Sequence, residues 1–372
     1  MATVQTKTTI LFAIILVAFS TISVGLAQNY PVSYQLLNHP DGNVTYELNV
    51  VVPEHLHEYY EEKSHRYTSS SEFAKFVTPY AVEPIADKLW EIYDDEEDFA
   101  NGVLMIVHQI TYVETAPAKY PVETMVDDQG DCDLFSFIAA SVMKAGGLDV
   151  VLLYYETQTH MNIGVHLSSA PTDARNGGSY VTHDGARYYV AEATGGNWKE
   201  GWRVGECPPD LEQVSAEVIS LENAEEVAPG QVSASFTAME PSTLSLEVSP
   251  SISLQNSAIT VRGRLAPEMP NENVTLYAKI NSSPWTVIGT AVTQPNGLFE
   301  YVWTAEMAGL HAIRAGWSGS ESYTGAISPT KSATIVPLFL GALVGIAIVA
   351  AVIGAVAVLM AKHTQQETLE PY

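Results

Sequence analysis

The sequence predicts an α+β unit followed by an all-β sandwich and a single transmembrane helix. Three observations lead to this fold class. Helical periodicity alternates with short apolar runs between residues 98 and 207. Short alternating runs separated by turn residues recur between residues 245 and 335. No charged residue stands between Leu338 and Met360, and this stretch is long enough to cross a bilayer.

The composition limits the class of protein and of partner. The chain has 372 residues, which predicts about two domains with additional segments. Its formal net charge of −26 argues against nucleic acid as a partner, because phosphates repel a strongly acidic surface. The same charge fits a soluble surface that faces an aqueous exterior.

The N-terminus has the layout of a secretory signal peptide. Lys7 precedes an apolar core from Ile10 to Phe19, and small residues lead up to Ala27. We therefore predict a signal peptide at residues 1–27, with an uncleaved anchor helix as the alternative. Because a signal peptide directs export, we expect the region after it to lie outside the cell.

The C-terminus has the composition of a membrane anchor. Residues 337–361 form the predicted transmembrane helix, and residues 362–372 form a short cytoplasmic tail. The predicted localisation is the cell membrane, with a single pass and an extracellular N-terminal ectodomain. Gly341 and Gly345 have the spacing of closely packed membrane helices, which leaves open a weak homodimer through the anchor.

An N-terminal extension at residues 28–97 precedes the main unit. Residues 30–52 alternate between apolar and polar side chains, which predicts one or two strands. Helical patterns follow from His55 to His65 and from Ser71 to Tyr93. We expect this α/β extension to pack on the unit that follows it.

A buried helix with a cysteine in its first turn is the central feature of the predicted unit. The turn at Gly130 leads into a long apolar run that ends near Met143. Asp131 is a good N-cap residue, so Cys132 begins the helix. The partial positive charge of a helix N-terminus stabilises a thiolate, which is a nucleophile.

Two predicted strands after this helix carry a candidate base and a candidate acid. His160 begins the second of two buried strands that follow the helix, and Glu192 lies in a third strand. Adjacent antiparallel strands would place the imidazole and the carboxylate side by side. A cysteine nucleophile needs such a base and a group that orients the base. The sequence thus predicts Cys132, His160 and Glu192 as a catalytic triad.

Four blocks resemble the transglutaminase-like superfamily, and above all its secreted and membrane-bound members from archaea and bacteria. These blocks are Tyr120–Thr124, Gly130–Asp133, His160–Val165 and Tyr188–Thr194. The resemblance covers roughly residues 98–206. It implies a papain-like, transglutaminase-like core, with a cysteine nucleophile, a histidine base and a residue in the acid position at the three sites already predicted.

The resemblance also implies an enzyme that attacks amide bonds through a thioester. Water as the acceptor would make it a cysteine peptidase or amidase, which we favour because water is abundant. An amine acceptor would make it a protein-crosslinking transglutaminase. A non-catalytic envelope protein that binds or supports other components with the same fold is the third alternative. The expected substrate is a protein or peptide at the cell surface.

Two groups are candidates for the oxyanion donor. Gln109 precedes the nucleophile, as a glutamine does in papain-like enzymes, and begins a Gln-x-x-Tyr block that such domains also contain. The backbone N–H of Cys132 is the other candidate. A purely structural role for Gln109, bonding a loop, is equally open.

Other residues compete for these roles. Cys132 could be an inert buried thiol, or could pair with Cys207 in a disulfide in an exported chain. His166 lies on the same predicted strand face as His160 and is the alternative base. Asp184 is the alternative acid, although Asp-Gly between strands is typical of a turn.

No metal and no other cofactor is predicted. His55, His57 and His65 give one weak i, i+2 pair without a cysteine or acidic pattern around it. The acidic run from Asp94 to Asp98 is typical of a solvated helix start.

Two further segments complete the predicted organisation. Residues 208–244 are acidic and rich in Ser, Ala and Pro, which predicts a linker or an extended connection. Residues 245–335 have the strand spacing of an immunoglobulin-like β-sandwich. The name describes only the architecture, because this segment contains no cysteine.

Overall fold

The computed structural model describes residues 29–338, except residues 226 and 282. Its elements up to residue 235 form one unit, which contains the predicted triad. In chain order they are β1 (Asn29–Leu37), β2 (Thr45–Pro53), α1 (Glu54–Glu61), α2 (Pro79–Leu89), α3 (Glu96–Val107), β3 (Thr111–Tyr112), α4 (Pro121–Asp127), β4 (Gln129–Gly130), α5 (Cys132–Ala145), β5 (Asp149–Tyr155), β6 (His160–His166), β7 (Tyr180–His183), β8 (Ala186–Ala191), β9 (Glu217–Ser220) and β10 (Ser233–Ser235).

Helix α5 lies at the centre of this unit. It contacts α2, α3 and α4 on one side and the strands β5 and β6 on the other. Every residue from Leu134 to Met143 is buried, as its nearly all-round apolar sequence predicts. Asp131 is the N-cap residue, and the chain leaves the helix through Gly147, whose φ of 88° suits glycine. The burial of α5 fixes the position of its first turn.

An antiparallel five-stranded sheet packs against α5, with the strand order β7-β8-β6-β5-β9. In this sheet Tyr155 of β5 is opposite His160 of β6, and Ile163 of β6 is opposite Ala191 of β8. Glu192 follows directly after β8, and the register places it across from Asn162. The sheet therefore brings the predicted base and acid to one end of neighbouring strands.

The segment predicted as a linker, residues 208–244, is instead part of the folded unit. Its strand β9 pairs with β5 at the edge of the central sheet. Its strand β10 pairs with β2 and completes a three-stranded sheet with the order β1-β2-β10. Both strands are three or four residues long, so long-range pairing rather than local periodicity determines them.

A β-sandwich follows. Its strands are β11 (Thr243–Ser249), β12 (Ile252–Leu254), β13 (Ala258–Ala266), β14 (Asn273–Ile280), β15 (Thr286–Val292), β16 (Leu298–Thr304), β17 (Gly309–Gly319), β18 (Thr324–Ile327) and β19 (Lys331–Val336). One sheet has the order β11-β13-β16, and the other has the order β12-β19-β17-β14-β15 with β18 on β17. Inward-facing side chains of both sheets, such as Val261 and Leu276, share one apolar core.

The sandwich contacts helix α1 through buried aromatic and charged groups. The ring of His55 packs against Tyr277 with centroids 5.5 Å apart, and Gly316 provides the space for it. Glu58 pairs with Arg314 of the sandwich. Both ring nitrogens of His55 are buried without a hydrogen-bond partner in the part of the chain that the structure describes.

The predicted fold class needs correction. The structure is mostly β, with 38 % of residues in strands and 20 % in helices, because the sandwich and the strands of the supposed linker add to the central sheet. The predicted single transmembrane helix is not found in the structure either: within the described residues 29–338, no helix is long and apolar enough to span a membrane. Beyond Leu338, the predicted span at residues 337–361 lies outside the described residues, as do the predicted signal peptide and tail.

Candidate active site

The nucleophile candidate lies where the sequence predicts it, in the first turn of α5. Cys132 is 9 % exposed, and its Sγ donates a hydrogen bond to the carbonyl oxygen of Thr159 at 3.8 Å. Both Cys132 and Cys207 are free thiols, so the alternative of a disulfide between them is not realised. Burial, followed by the charge of Glu192, raises the pKa of Cys207 to about 11, which keeps that second thiol protonated at neutral pH.

A strained residue precedes the base. Thr159 adopts the left-handed conformation, with φ 48° and ψ 47°, although β-branched residues rarely do so. This turn ends the short 3₁₀ helix at Glu156–Gln158 and starts β6. As a result, the Thr159 carbonyl faces Cys132 and the next residue, His160, lies beside the thiol. Strain of this kind is common at functional sites.

The base candidate contacts both of its predicted partners. Nε2 of His160 lies 2.9 Å from Oε2 of Glu192. Burial lowers the pKa of His160, but hydrogen bonds with Cys132 and Glu192 and the charge of Glu192 outweigh burial and raise it to about 10. The imidazole is therefore protonated at neutral pH. Because Nε2 is bonded to Glu192, Nδ1 is the nitrogen that remains for Cys132.

The acid candidate is fully buried and surrounded by donors. Oε1 of Glu192 accepts hydrogen bonds from the backbone N–H of Thr194 at 2.7 Å and from its hydroxyl. Oε2 accepts from His160 and lies beside the amide of Asn162. These donors stabilise the negative charge of a carboxylate that no water reaches. Sequence reasoning missed Asn162 and Thr194 as site residues, although both stand in the blocks that carry the resemblance.

His108 supports the chain that follows the acid. Its ring is buried, which lowers its pKa, and Nε2 lies 3.0 Å from the carbonyl oxygen of Glu192. The neutral ring therefore donates from Nε2 to that carbonyl. A Cβ on Gly201 would lie 2.3 Å from Nδ1, so only glycine fits against the ring there. A histidine at the end of an apolar helix, such as α3, is the only sign of this role in the sequence.

Gln109 does not serve as an oxyanion donor in this structure. Its amide nitrogen donates to Gln35 O at 2.9 Å and to Met105 O at 2.8 Å, and its amide oxygen accepts from Gln35 N at 2.8 Å. Both N–H groups are therefore engaged with backbone. The prediction is corrected to the structural role: Gln109 ties the end of α3 to strand β1. The backbone N–H of Cys132, at the N-terminus of α5, is the remaining candidate for the oxyanion.

Two carboxyl groups flank the nucleophile. Oδ2 of Asp131 accepts a hydrogen bond from Thr115 N at 2.8 Å. Burial, then a hydrogen bond and charge repulsion from Asp131, raises the pKa of Asp133 to about 8. Asp133 therefore retains its proton at neutral pH. Asp133 then adds no negative charge beside the thiol at neutral pH.

A cleft of about 620 Å³ opens beside the base. Tyr112 lies on it and is 56 % exposed. The cleft is lined by the α3–β3 segment, by α5, by the start of β6 and by the turn after Glu192. Its lining residues are His108, Gln109, Ile110, Thr111, Tyr112, Phe135, His160, Thr194, Gly195 and Gly196. The volume is that of a site for a peptide segment or another medium-sized ligand.

The alternative base and acid lie away from this cleft. Nδ1 of His166 bonds the carbonyl of Arg187 at the far end of β6. Asp184 has a φ of 48° and lies in the turn between β7 and β8, with its side chain 90 % exposed. His160 and Glu192 therefore remain the base and acid candidates.

A group of possible metal ligands lies near the N-terminal end of α3, the end that is farther from the cleft. Ligand atoms of His39, Asp98 and Asp173 lie within 4.8 Å of one another. Nδ1 of His39 accepts a hydrogen bond from Asp41 N, however, so the neutral ring carries its proton on Nε2, which faces the two carboxylates at 3.4 and 3.7 Å. This arrangement places Nε2 of His39 between the carboxylates of Asp98 and Asp173.

No protein-family model matches the chain, and no curated protein matches it either. The arrangement of Cys132, His160 and Glu192 must therefore carry any conclusion about function.

Proposed function

We propose that the chain is a cysteine enzyme of the transglutaminase-like type that attacks amide bonds in proteins or peptides. One observation carries the proposal: His160 hydrogen bonds the fully buried Glu192 and lies close enough to Cys132, at a helix N-terminus, for the thiol group to raise its pKa. A buried histidine–carboxylate pair beside a thiol has the three parts that nucleophilic catalysis by cysteine requires. The four sequence blocks of the transglutaminase-like superfamily contain all three residues.

The first half of the proposed reaction forms a thioester. The imidazolium of His160 stabilises the thiolate of Cys132, which attacks the carbonyl carbon of the amide. The backbone N–H of Cys132 donates to the developing oxyanion. The C–N bond then breaks as the leaving amine takes the proton from Nδ1 of His160, and the acyl group stays on sulfur.

The second half releases the acyl group. Neutral His160 takes a proton from the acceptor as the acceptor attacks the thioester carbon. The C–S bond then breaks, which restores the Cys132 thiolate beside the imidazolium of His160. Water as acceptor gives hydrolysis, and a primary amine gives a new amide. We favour hydrolysis, because the cleft is open to solvent and water is the abundant acceptor. Throughout, Glu192 orients the ring and balances its charge.

The N-terminal sequence supports a substrate outside the cytoplasm. Residues 1–27 have the order of a secretory signal peptide. Proteins or peptides of the cell exterior are then the substrates within reach of the enzyme.

A thiol probe tests the proposal directly. Iodoacetamide at pH 6 should label the protein at Cys132, because a thiolate–imidazolium pair reacts where ordinary thiols do not. The variant Cys132→Ala should lose the label, and the matched control Cys207→Ala should keep it, since Cys207 is buried with a raised pKa. Labelling that appears only at alkaline pH, in step with a free thiol, would contradict the proposal.

A second experiment identifies the acceptor. Peptide mixtures incubated with the enzyme, with and without a labelled primary amine, are read by mass spectrometry. Hydrolysis gives cleaved or deamidated peptides in both samples, whereas acyl transfer gives amine adducts. Products must disappear with Cys132→Ala for either assignment to stand.

A further inference from the structure

Asn162 is a buried polar residue that the reaction scheme does not yet use. It lies in β6, two residues beyond His160, and its side chain is wholly buried. Residues two apart on a strand project from the same face, so the amide lies beside the imidazole. A buried amide costs free energy unless its polar atoms are paired, so its partners indicate its role.

The partners of Asn162 belong to the triad. In the orientation that satisfies the amide, its nitrogen donates to Oε2 of Glu192 at 2.7 Å and to Met161 O at 3.1 Å. The same nitrogen lies 2.8 Å from Nε2 of His160, but Nε2 carries the proton that it donates to Oε2, so the two nitrogens are both donors to Oε2 and do not bond each other. The opposite orientation would press the amide oxygen against the carboxylate, and two acceptors in contact repel each other.

The two oxygens of Glu192 are thus held by different groups. Thr194 supplies two donors to Oε1. Oε2 receives one donor from His160 and one from Asn162. Without the second donor, only the imidazole would hold Oε2, and this oxygen would be fixed less firmly than Oε1, which Thr194 holds with two donors.

We propose that Asn162 is a positioning residue, which holds Oε2 of Glu192 on Nε2 of His160 and thereby leaves Nδ1 facing Cys132. The role rests on the proposed function, since it is assigned within the same site. Asn162 acts only through Glu192 and His160 and takes no part in bond making.

The test follows the titration of His160 in the full chain by ¹⁵N NMR of labelled histidine, with His160→Gln to assign the signal. The main variant is Asn162→Val, because a β-branched apolar residue suits a buried strand and leaves no unpaired amide. Asn162→Ala is the second variant. Ser136→Ala is the matched control, since it removes a buried hydrogen bond to Met161 O without touching the triad.

With Asn162 as a positioning residue, both Asn162 variants should lower the His160 titration midpoint by about one pH unit or more, because the imidazolium loses a well-oriented carboxylate. The control should keep the wild-type midpoint even where its melting temperature falls. Unchanged midpoints in both Asn162 variants, with melting temperatures lowered as in the control, would overturn the inference.

This readout separates the inference from the proposed function. The titration of His160 requires neither substrate nor turnover, so it decides the role of Asn162 even if Cys132 proves unreactive. An unreactive Cys132 with a midpoint that depends on Asn162 would reject the enzyme and retain the positioning role.

Discussion

Nε2 of His160 lies 2.9 Å from Oε2 of Glu192, and the carboxylate has no contact with solvent. An ion pair of this kind stabilises the charged imidazole more than a surface pair does, because its carboxylate is fully buried and water screens it less. It also assigns the two ring nitrogens, since the carboxylate takes Nε2 and leaves Nδ1 for the thiol. The predictions below follow from this pair and from the groups around it.

Removing either member of the pair should change the reactivity of Cys132. With His160→Ala, alkylation by iodoacetamide at pH 6 should fall by about tenfold or more, because the thiolate loses its cationic partner. Glu192→Gln keeps a hydrogen-bonding group, so alkylation should fall less, whereas turnover should fall strongly. Rates are measured by mass spectrometry of the labelled chain. Equal rates for wild type and His160→Ala would contradict the assignment of the base.

The pair should also make folding stability depend on pH. The pKa of His160 rises from 6.5 to about 10 on folding, so the folded state holds this proton more tightly than the unfolded state. The stabilisation is fully present below pH 6.5 and is lost as the pH rises towards 10. The stability difference between wild type and His160→Gln, measured by urea unfolding, should therefore shrink across this range. A difference that stays constant or grows would refute the prediction.

Asp133 should have the opposite effect on stability. Burial and the neighbouring Asp131 raise its pKa from 3.8 to about 8, so folding costs free energy as the pH rises through that window. Asp133→Asn removes the cost, and it should stabilise the protein most at pH 8 and little at pH 4. Melting temperatures at the two pH values measure the effect. Equal gains at both values would show that the carboxyl is not protonated in the folded state.

Gln109→Leu should lower stability without lowering the reactivity of the thiol. The change breaks the bonds to the backbone of Gln35 and Met105 and leaves partly buried groups unpaired, at a cost of about 1–3 kcal/mol. Cys132 should still react with iodoacetamide at pH 6, because Gln109 does not contact the triad. Loss of alkylation in a variant that remains folded would restore a direct role for Gln109 in the site.

His55→Leu should stabilise the contact between the main unit and the sandwich, most of all in acid. Burial, and then the charge of Arg314, lowers the pKa of His55 from 6.5 to about 3. The unfolded chain then binds this proton more readily, so stability falls as the pH drops from 6.5 towards 3. The leucine variant avoids this loss and also removes two unpaired nitrogens. Thermal unfolding at pH 4 and pH 7.5 tests it, and a larger gain at pH 7.5 would contradict the argument.

The three triad candidates could be predicted from the sequence, because the position of each one depends on the residues immediately around it. An apolar run that follows an N-cap residue indicates a helix that begins at Cys132. Stretches with the two-residue period of strands indicate the strand of His160 and the strand that ends just before Glu192. Asn162 follows the same period and stands on the same face as His160, so the sequence did contain the signal for it. Its partner is an oxygen on another strand, however, and only the register between strands reveals that contact.

Features that depend on distant contacts could not be predicted in this way. The amide of Gln109 bonds Gln35, which is far away in sequence, and nothing near Gln109 indicates this partner. Strands β9 and β10 are too short to give a periodic signal and exist because β5 and β2 offer free edges. The left-handed Thr159 also runs against residue preference, as functional sites often do.

The pairing of β10 with β2 has a consequence for synthesis of the protein. The ribosome delivers β2 early, then all three triad residues, and only later the strand that completes the sheet. Pairings between such distant segments form slowly, and domains complete their folding as their last parts emerge. The sheet β1-β2-β10 is therefore completed only after translation has passed residue 235, when all three triad candidates have already been made.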